Sequence, residues 1–363
     1  MGATREIGVL ASSGLLKPAG KRSAPPFTTM RRQWNKLSRI WEAKTGKRSS
    51  NYCEDWVTAQ VQTNKGEKMA ELKKVLGTHG PGSRHWVGDG FHVRNLFRSN
   101  GIEKQIDPFL MLDYAGPTEV APSRQPRGVD EHPHRGFETV TIAYQGAVEH
   151  RDSGGNSGII YPGDVQWMTA ASGIVHEEKH EREFTKNGGT FEMVQLWINL
   201  PKAHKMSAPA YQALSREKIP VVKLGTAGEA RIIAGQWNTV RGAARTFTPV
   251  NVFDVRLDAG GSTDLSIPEG HNTAIVLLKG EVAINGGQAL RGEAQLALLS
   301  AEGERVSLEA GRNSLLLILS GTPIGEPVAS YGPFVMNTRA ELMQAINDYN
   351  AGQMGRLETP KEI

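Results

Sequence analysis

From Trp86 onward the chain is a succession of segments four to eight residues long, rich in Val, Ile, Thr, Phe and Leu, each closed by Gly, Pro, Asn or Asp. Segments this short, with this composition and this punctuation, read as β-strands joined by turns, and many of them at even spacing point to barrels or sandwiches. Residues 137–144 alternate: Glu138, Val140, Ile142 and Tyr144 share one face, and Phe137, Thr139, Thr141 and Ala143 the other. Pro162-Gly163-Asp164 is a turn feeding a strand at 165–169, and 191–200 is a third strand, ended by Pro201. The second half repeats the style, with strands expected at 250–257, 273–278, 281–284, 294–299 and 314–319 and a hairpin signal at Asn285-Gly286. The chain then changes period. Thr338 and Glu341 form a capping box, Leu342, Ile346 and Tyr349 fall on one helical face, and Gly352 is the stop.

A chain of 363 residues, 39% of them hydrophobic, can build two domains, each with a core. Its single cysteine, Cys53, excludes an internal disulfide and a cysteine-based zinc site, and fits a reducing, cytoplasmic setting. The longest apolar runs, 274–278 and 315–319, are far too short to span a bilayer and read as buried strands. The net charge of +4 is unevenly placed. Residues 1–68 hold 13 Lys+Arg against 5 Asp+Glu, which leaves 29 against 33 for the rest, an acidic balance unsuited to nucleic acid.

Residues 1–68 have no sustained hydrophobic period beyond a short basic helix expected at 31–41, and no apolar stretch of the kind a secretory signal needs. Met69 begins an ordinary bacterial-looking N-terminus, and Gly66-Glu67-Lys68 can be encoded by a ribosome-binding sequence. The expectation is that translation starts at Met69; the alternative is a genuine disordered or targeting extension.

The chemistry concentrates in Glu131-His132-Pro133-His134 and Gly173-Ile174-Val175-His176-Glu177-Glu178. Residues i and i+2 of an extended chain face the same way, so His132 and His134 face together, as do His176 and Glu178, and Glu177 points away. By the same count His132 and His134 share a face with Val140, Ile142 and Tyr144, the face expected inside a barrel, unless a bulge at Gly136 spoils the register. Two such pairs on facing strands supply three imidazoles and a carboxylate to one point. Such a set suits iron, manganese, nickel or zinc, and an octahedral ion would keep two positions open. Glu138, on the His134 side by this count, is a further candidate ligand, with a buried hydrogen-bonded acid preferred. His180 shares parity but is expected beyond reach and exposed. His79, His85, His92, His150, His204 and His271 lack a paired partner and take structural roles, and Trp167 and Trp197 are expected in the core, with a pocket-lining role as the lesser alternative.

These motifs, together with Asp107-Pro108-Phe109-Leu110, Gln166-Trp167-Met168-Thr169-Ala170, Gln195-Leu196-Trp197 and Pro333-Phe334-Val335-Met336-Asn337-Thr338, closely resemble the pirin family over roughly residues 85–350. The resemblance implies an all-β bicupin: two antiparallel jelly-roll barrels and a C-terminal helix. It implies an N-terminal metal-binding barrel at 75–205, a metal-free C-terminal barrel at 220–330, where Pro268-Glu269-Gly270-His271 offers one histidine and no pair, and a helix at 337–352. It places an Fe(2+) ion on His132, His134, His176 and Glu178. The implied activity is quercetin 2,3-dioxygenation, in which a flavonol and O2 react and CO leaves, with Glu178 also a candidate base for the flavonol hydroxyl. A rival expectation is an iron-dependent redox sensor acting through protein partners, and a weaker one is a regulator of a metabolic enzyme. Neither nucleic acid nor membrane is an expected partner, and a monomer is expected.

Overall fold

The structure, a computed structural model, describes residues 70–97 and 101–357. The expectations for residues 1–68, including the short helix and the start at Met69, lie outside the described residues.

Two β units carry almost all of the regular structure, and in neither do the sheets close into a continuous ring. In the first, a seven-stranded sheet runs in the order Ala210–Leu214, Val165–Thr169, Phe137–Gln145, Gly189–Asn199, Phe109–Val120, Phe91–Asn95 and Arg84–Val87. Facing it is a four-stranded sheet of Gly128–His134, Ile174–His180, Val148–Asp152 and Ser157–Ile160. The second unit is an eight-stranded sheet built around Asn272–Ile284 and Arg305–Gly321. The two strands expected at 273–278 and 281–284 are one, Asn272–Ile284. It turns into Gln288–Leu299 through Asn285 and Gly286, whose φ angles of 55° and 69° are those a tight hairpin needs. Val75–His79 pairs with Gln288–Leu299, so the chain adds a strand to the second unit before it builds the first. Lys73, just ahead of that strand, is buried there with its Nζ donating to the carbonyls of His271, Ser300 and Ala301.

The units are joined back to back. Val140, Ile142 and Tyr144 pack with Val194, Leu196 and Ile198 against Val252, Val276, Leu278, Leu296, Leu317 and Leu319 of the second unit. Each large aliphatic side chain buried there contributes about 1.5–3 kcal/mol, so this seam is a true core. The expectation that Val140, Ile142 and Tyr144 line the barrel interior together with His132 and His134 is therefore corrected. The physical reason is Gly136. Its φ of +90° is left-handed, and a Cβ there would lie 1.9 Å from the Val335 carbonyl oxygen. At this residue the chain leaves the four-stranded sheet for the seven-stranded one, and the alternation resets. Phe137, Thr139 and Thr141 thus belong to the same interior as the two histidines.

The last helix, Arg339–Asn350, begins with the expected capping box between Thr338 and Glu341. Leu342, Ile346 and Tyr349 pack with Val175 of the first unit and with Phe334 and Met336 of the segment just ahead of the helix. The helix returns from the second unit to the first and grips the loop after His134. Arg135 donates from Nη1 to Asp348 Oδ2 at 2.7 Å and from Nε to the Ser172 carbonyl at 2.6 Å. Lys205 Nζ, buried, bonds the carbonyls of Gly136 and Val335 and the side chain of Asn199. No helix among the described residues is long and apolar enough to cross a membrane.

Candidate metal centre

Antiparallel pairing places the two i, i+2 pairs side by side. His132 lies opposite His176, and a register shift between His176 and Glu178 sets Glu178 opposite Val129. On the other edge of the same strand, Glu178 lies opposite His150 and His176 opposite Asp152. Ligand atoms of His132, His134 and His176 lie within 4.8 Å of one another, as do those of His150, His176 and Glu178. His176 is common to both groups. Glu177 points out of the site to Arg151, whose Nε donates to it at 2.5 Å.

The hydrogen bonds decide which nitrogens are bare. His132 Nδ1 lies 2.7 Å from the Asp130 carbonyl and His134 Nδ1 3.4 Å from the Pro333 carbonyl. Carbonyls only accept, so both Nδ1 atoms carry the proton and both Nε2 atoms present lone pairs. Those two Nε2 atoms are 3.1 Å apart. Two lone pairs at that distance repel unless a proton or a cation lies between them. His176 Nε2 is fully buried with no hydrogen-bond partner among the described residues, a third donor atom with nothing to bind. Burial first, then neighbouring histidines, hold His134 and His176 well below the usual imidazole range, which keeps them neutral and able to ligate. Glu178 is held by Thr141, whose Oγ1 donates to Oε1 at 3.2 Å, and by Gln195, whose Nε2 donates to Oε2 at 2.7 Å. His132, His134 and His176 make one group of donors and His150, His176 and Glu178 a second, joined at His176, and imidazoles with a fixed carboxylate are donors that fit a divalent metal ion.

His132, His134 and Glu178 line a cavity of about 500 Å³. Val87, Phe91, Val93, Met111, Met193 and Trp197 give it apolar walls, and Asn95, Asp113 and Gln195 give it polar points. Asn95 Nδ2 donates to Asp113 Oδ1 at 2.8 Å. Trp197 stands at 5.3 Å from the His134 ring and 4.3 Å from Phe137; it is buried in a core cluster with Met111 and Phe137, as expected, and also lines the cavity. Trp167 is fully buried in the seam between the units.

The remaining candidates separate cleanly. Glu138 faces away from the centre because of the reset at Gly136; it is buried, accepts from Thr169 Oγ1 at 2.7 Å, and burial pushes its carboxyl up to about 7. His180 is not exposed as expected but packed among Phe91, Phe184 and Phe191, where burial, followed by Arg127, lowers its ring to about 4. His271 bonds two hydroxyls, those of Ser320 and Thr322. His150 is the residue that sequence reasoning missed: buried, beside His176, in a strand whose alternation His150-Arg151-Asp152 was the available signal.

The family described as Pirin matches residues 90–198, and the Pirin C-terminal cupin domain matches residues 252–355. A Pseudomonas aeruginosa protein named "Putative quercetin 2,3-dioxygenase" is 54% identical over 286 residues, covering 78% of this chain and 99% of its own. A pirin-like protein of Solanum lycopersicum is 40% identical over 270 residues, 74% of this chain and 88% of that one. The crystal structure of a quercetin 2,3-dioxygenase from Acinetobacter baumannii superposes with a TM-score of 0.77 at 49% identity, covering 79% of this chain and all of that one.

Proposed function

The chain belongs to the pirin family, and from that premise we propose that it is a mononuclear iron(II) protein that cleaves a flavonol such as quercetin with O2 and releases CO. His132, His134, His176 and Glu178 would hold the ion. The observation that carries this reading is the meeting of two imidazole Nε2 atoms 3.1 Å apart, the unpartnered Nε2 of His176 and a clamped carboxylate beside a largely apolar cavity.

Bound iron(II) would supply Lewis acidity and bring two reactants together. The chain's own residues supply the rest. Trp197, Phe91 and Met193 offer flat apolar surface to a planar aromatic and exclude water around it. Gln195 and Thr141 fix the orientation of Glu178. A carboxylate oxygen of Glu178 would take the proton of the flavonol hydroxyl, which would make the substrate an anion ready to react.

The test is CO release from quercetin by the protein loaded anaerobically with iron(II) and then given oxygen, with a His132→Ala/His134→Ala variant as the blank. CO that depends on those two residues supports the reading. No CO from protein carrying one iron per chain would sink it and favour a non-enzymatic, iron-dependent role through protein partners.

A further inference from the structure

His132 and His134 each have their outer nitrogen fixed by a main-chain carbonyl, and His176 does not. Its Nδ1 lies 3.4 Å from Nδ1 of His150. His150 is 1% exposed, its ring stacks on Tyr211 at 5.4 Å and 16°, and its Nε2 lies 3.4 Å from Asp152 Oδ2. Asp152 is itself held. Its Oδ1 accepts from the main-chain N–H of Gly154 at 2.9 Å and of Asn156 at 3.0 Å, and Asn156 Nδ2 lies 3.1 and 3.0 Å from its two oxygens.

The proton positions follow from what each atom can do. A carboxylate so rich in donors stays an acceptor, so Nε2 of His150 carries a proton. In the uncharged form of His150 this leaves a lone pair on Nδ1, turned toward His176. His176 must answer with a proton on its own Nδ1, which bares its Nε2, the buried atom without a partner. We propose that Asp152 and His150 form a relay that sets the tautomer of His176 and raises its strength as a metal donor, so that His150 and Asp152 are positioning residues of this centre. The inference rests on the reading of His176 as a ligand. It gives the centre one ligand whose basicity is set by a buried carboxylate through an intervening imidazole, where its two companions lean on neutral carbonyls.

The experiment reads proton positions directly. Long-range ¹H–¹⁵N correlation spectra of metal-free full-length protein at mildly alkaline pH report which nitrogen of each histidine is protonated, and cobalt(II) titration against a chelator reports affinity. Wild-type His176 is expected with its proton on Nδ1 and His150 with its proton on Nε2. In Asp152→Asn the backbone donors at Gly154 and Asn156 demand the amide oxygen, so the new amide nitrogen faces His150 and reverses both tautomers. Cobalt(II) affinity should then fall about 10- to 100-fold. A wild-type His176 protonated on Nε2, or an Asp152→Asn variant with unchanged tautomers and affinity, overturns the relay. Should that variant not fold, His150→Gln and His150→Phe decide. Glutamine keeps an acceptor and should hold affinity within about threefold, whereas phenylalanine should lose about 10-fold or more; equal losses overturn the relay. Failure of wild-type protein to take up cobalt(II) counts against the ligand reading instead, because the tautomers are read without metal.

Discussion

Arg135 follows directly on the second histidine of the centre, and Asp348 lies near the end of the last helix; they meet at 2.7 Å with side chains 5% and 12% exposed. The ion pair ties the helix that leaves the second unit to the loop that carries His134. The same returning segment supplies the Pro333 carbonyl that accepts from His134 Nδ1. Removing one partner strands the other charge in a site with little water. Asp348→Ala should therefore cost about 3–5 kcal/mol of stability and weaken metal binding, while Arg135→Met/Asp348→Leu, which removes both charges, should lose less than Asp348→Ala alone. Denaturant unfolding of the metal-free proteins checks the ordering, and a double variant no better than the single one would refute it.

Gly136 is the residue on which the orientation of the site turns. Its left-handed φ and the Val335 oxygen at 1.9 Å from a notional Cβ leave no room for a side chain. The Gly136→Ala variant should be destabilised by well over the ~1 kcal/mol of an ordinary glycine replacement, and the surviving folded protein should bind metal more weakly. Thermal unfolding with and without cobalt(II) measures both effects. Gly260, equally left-handed at φ +77° but with open space around it, is the control, and its alanine variant should keep wild-type metal affinity.

How much of this was readable in the amino-acid string depends on the range over which each feature is encoded. The i, i+2 pairing of His132 with His134 and of His176 with Glu178, and the outward turn of Glu177, follow from strand geometry alone. So do the Thr338–Glu341 cap and the Asn285-Gly286 turn, which are settled within four residues. His150 was not readable in the same way. It reaches His176 only through the register of two strands distant in sequence, and no local rule fixes that register. The face of Val140, Ile142 and Tyr144 was misjudged because a glycine announces conformational freedom without saying whether the chain uses it. His180 was expected in solvent because its aromatic surroundings come from three separate segments.

Glu138 gives the fold a pH signature that is separate from the metal. Its carboxyl is raised by burial from 4.5 to about 7. Between these values the folded chain holds a proton that the unfolded chain releases, so this group's contribution declines as pH rises from about 4.5 to about 7 and is a constant penalty above that. Glu138→Gln copies the protonated form and keeps an acceptor for Thr169. The variant should match wild type in acid and exceed it by a few kcal/mol at pH above about 7. Melting curves across that range test the linkage. Metal affinity should be unchanged, and a large loss would return Glu138 to the ligand set.

Gln195 and Thr141 separate holding the carboxylate from being the carboxylate. Each gives Glu178 one hydrogen bond, Thr141 to Oε1 and Gln195 to Oε2, and neither is one of the proposed ligands. Gln195→Leu removes the shorter bond at 2.7 Å and should weaken metal binding about 10- to 100-fold; Thr141→Val, which removes the longer one at 3.2 Å, should weaken it less. Because both act on the same side chain, the losses should not simply add: once one bond is gone Glu178 can swing, and the second contributes less to its orientation. A chelator competition on wild type, both single variants and the double variant measures this coupling. Strict additivity would mean that the two residues act on the centre independently and not through Glu178. Glu178→Gln separates the remaining roles, since a neutral amide can still reach the ion through its oxygen but cannot take a proton. The expected result is retained, weakened iron binding with CO release lost, and full activity in that variant would remove Glu178 as the base.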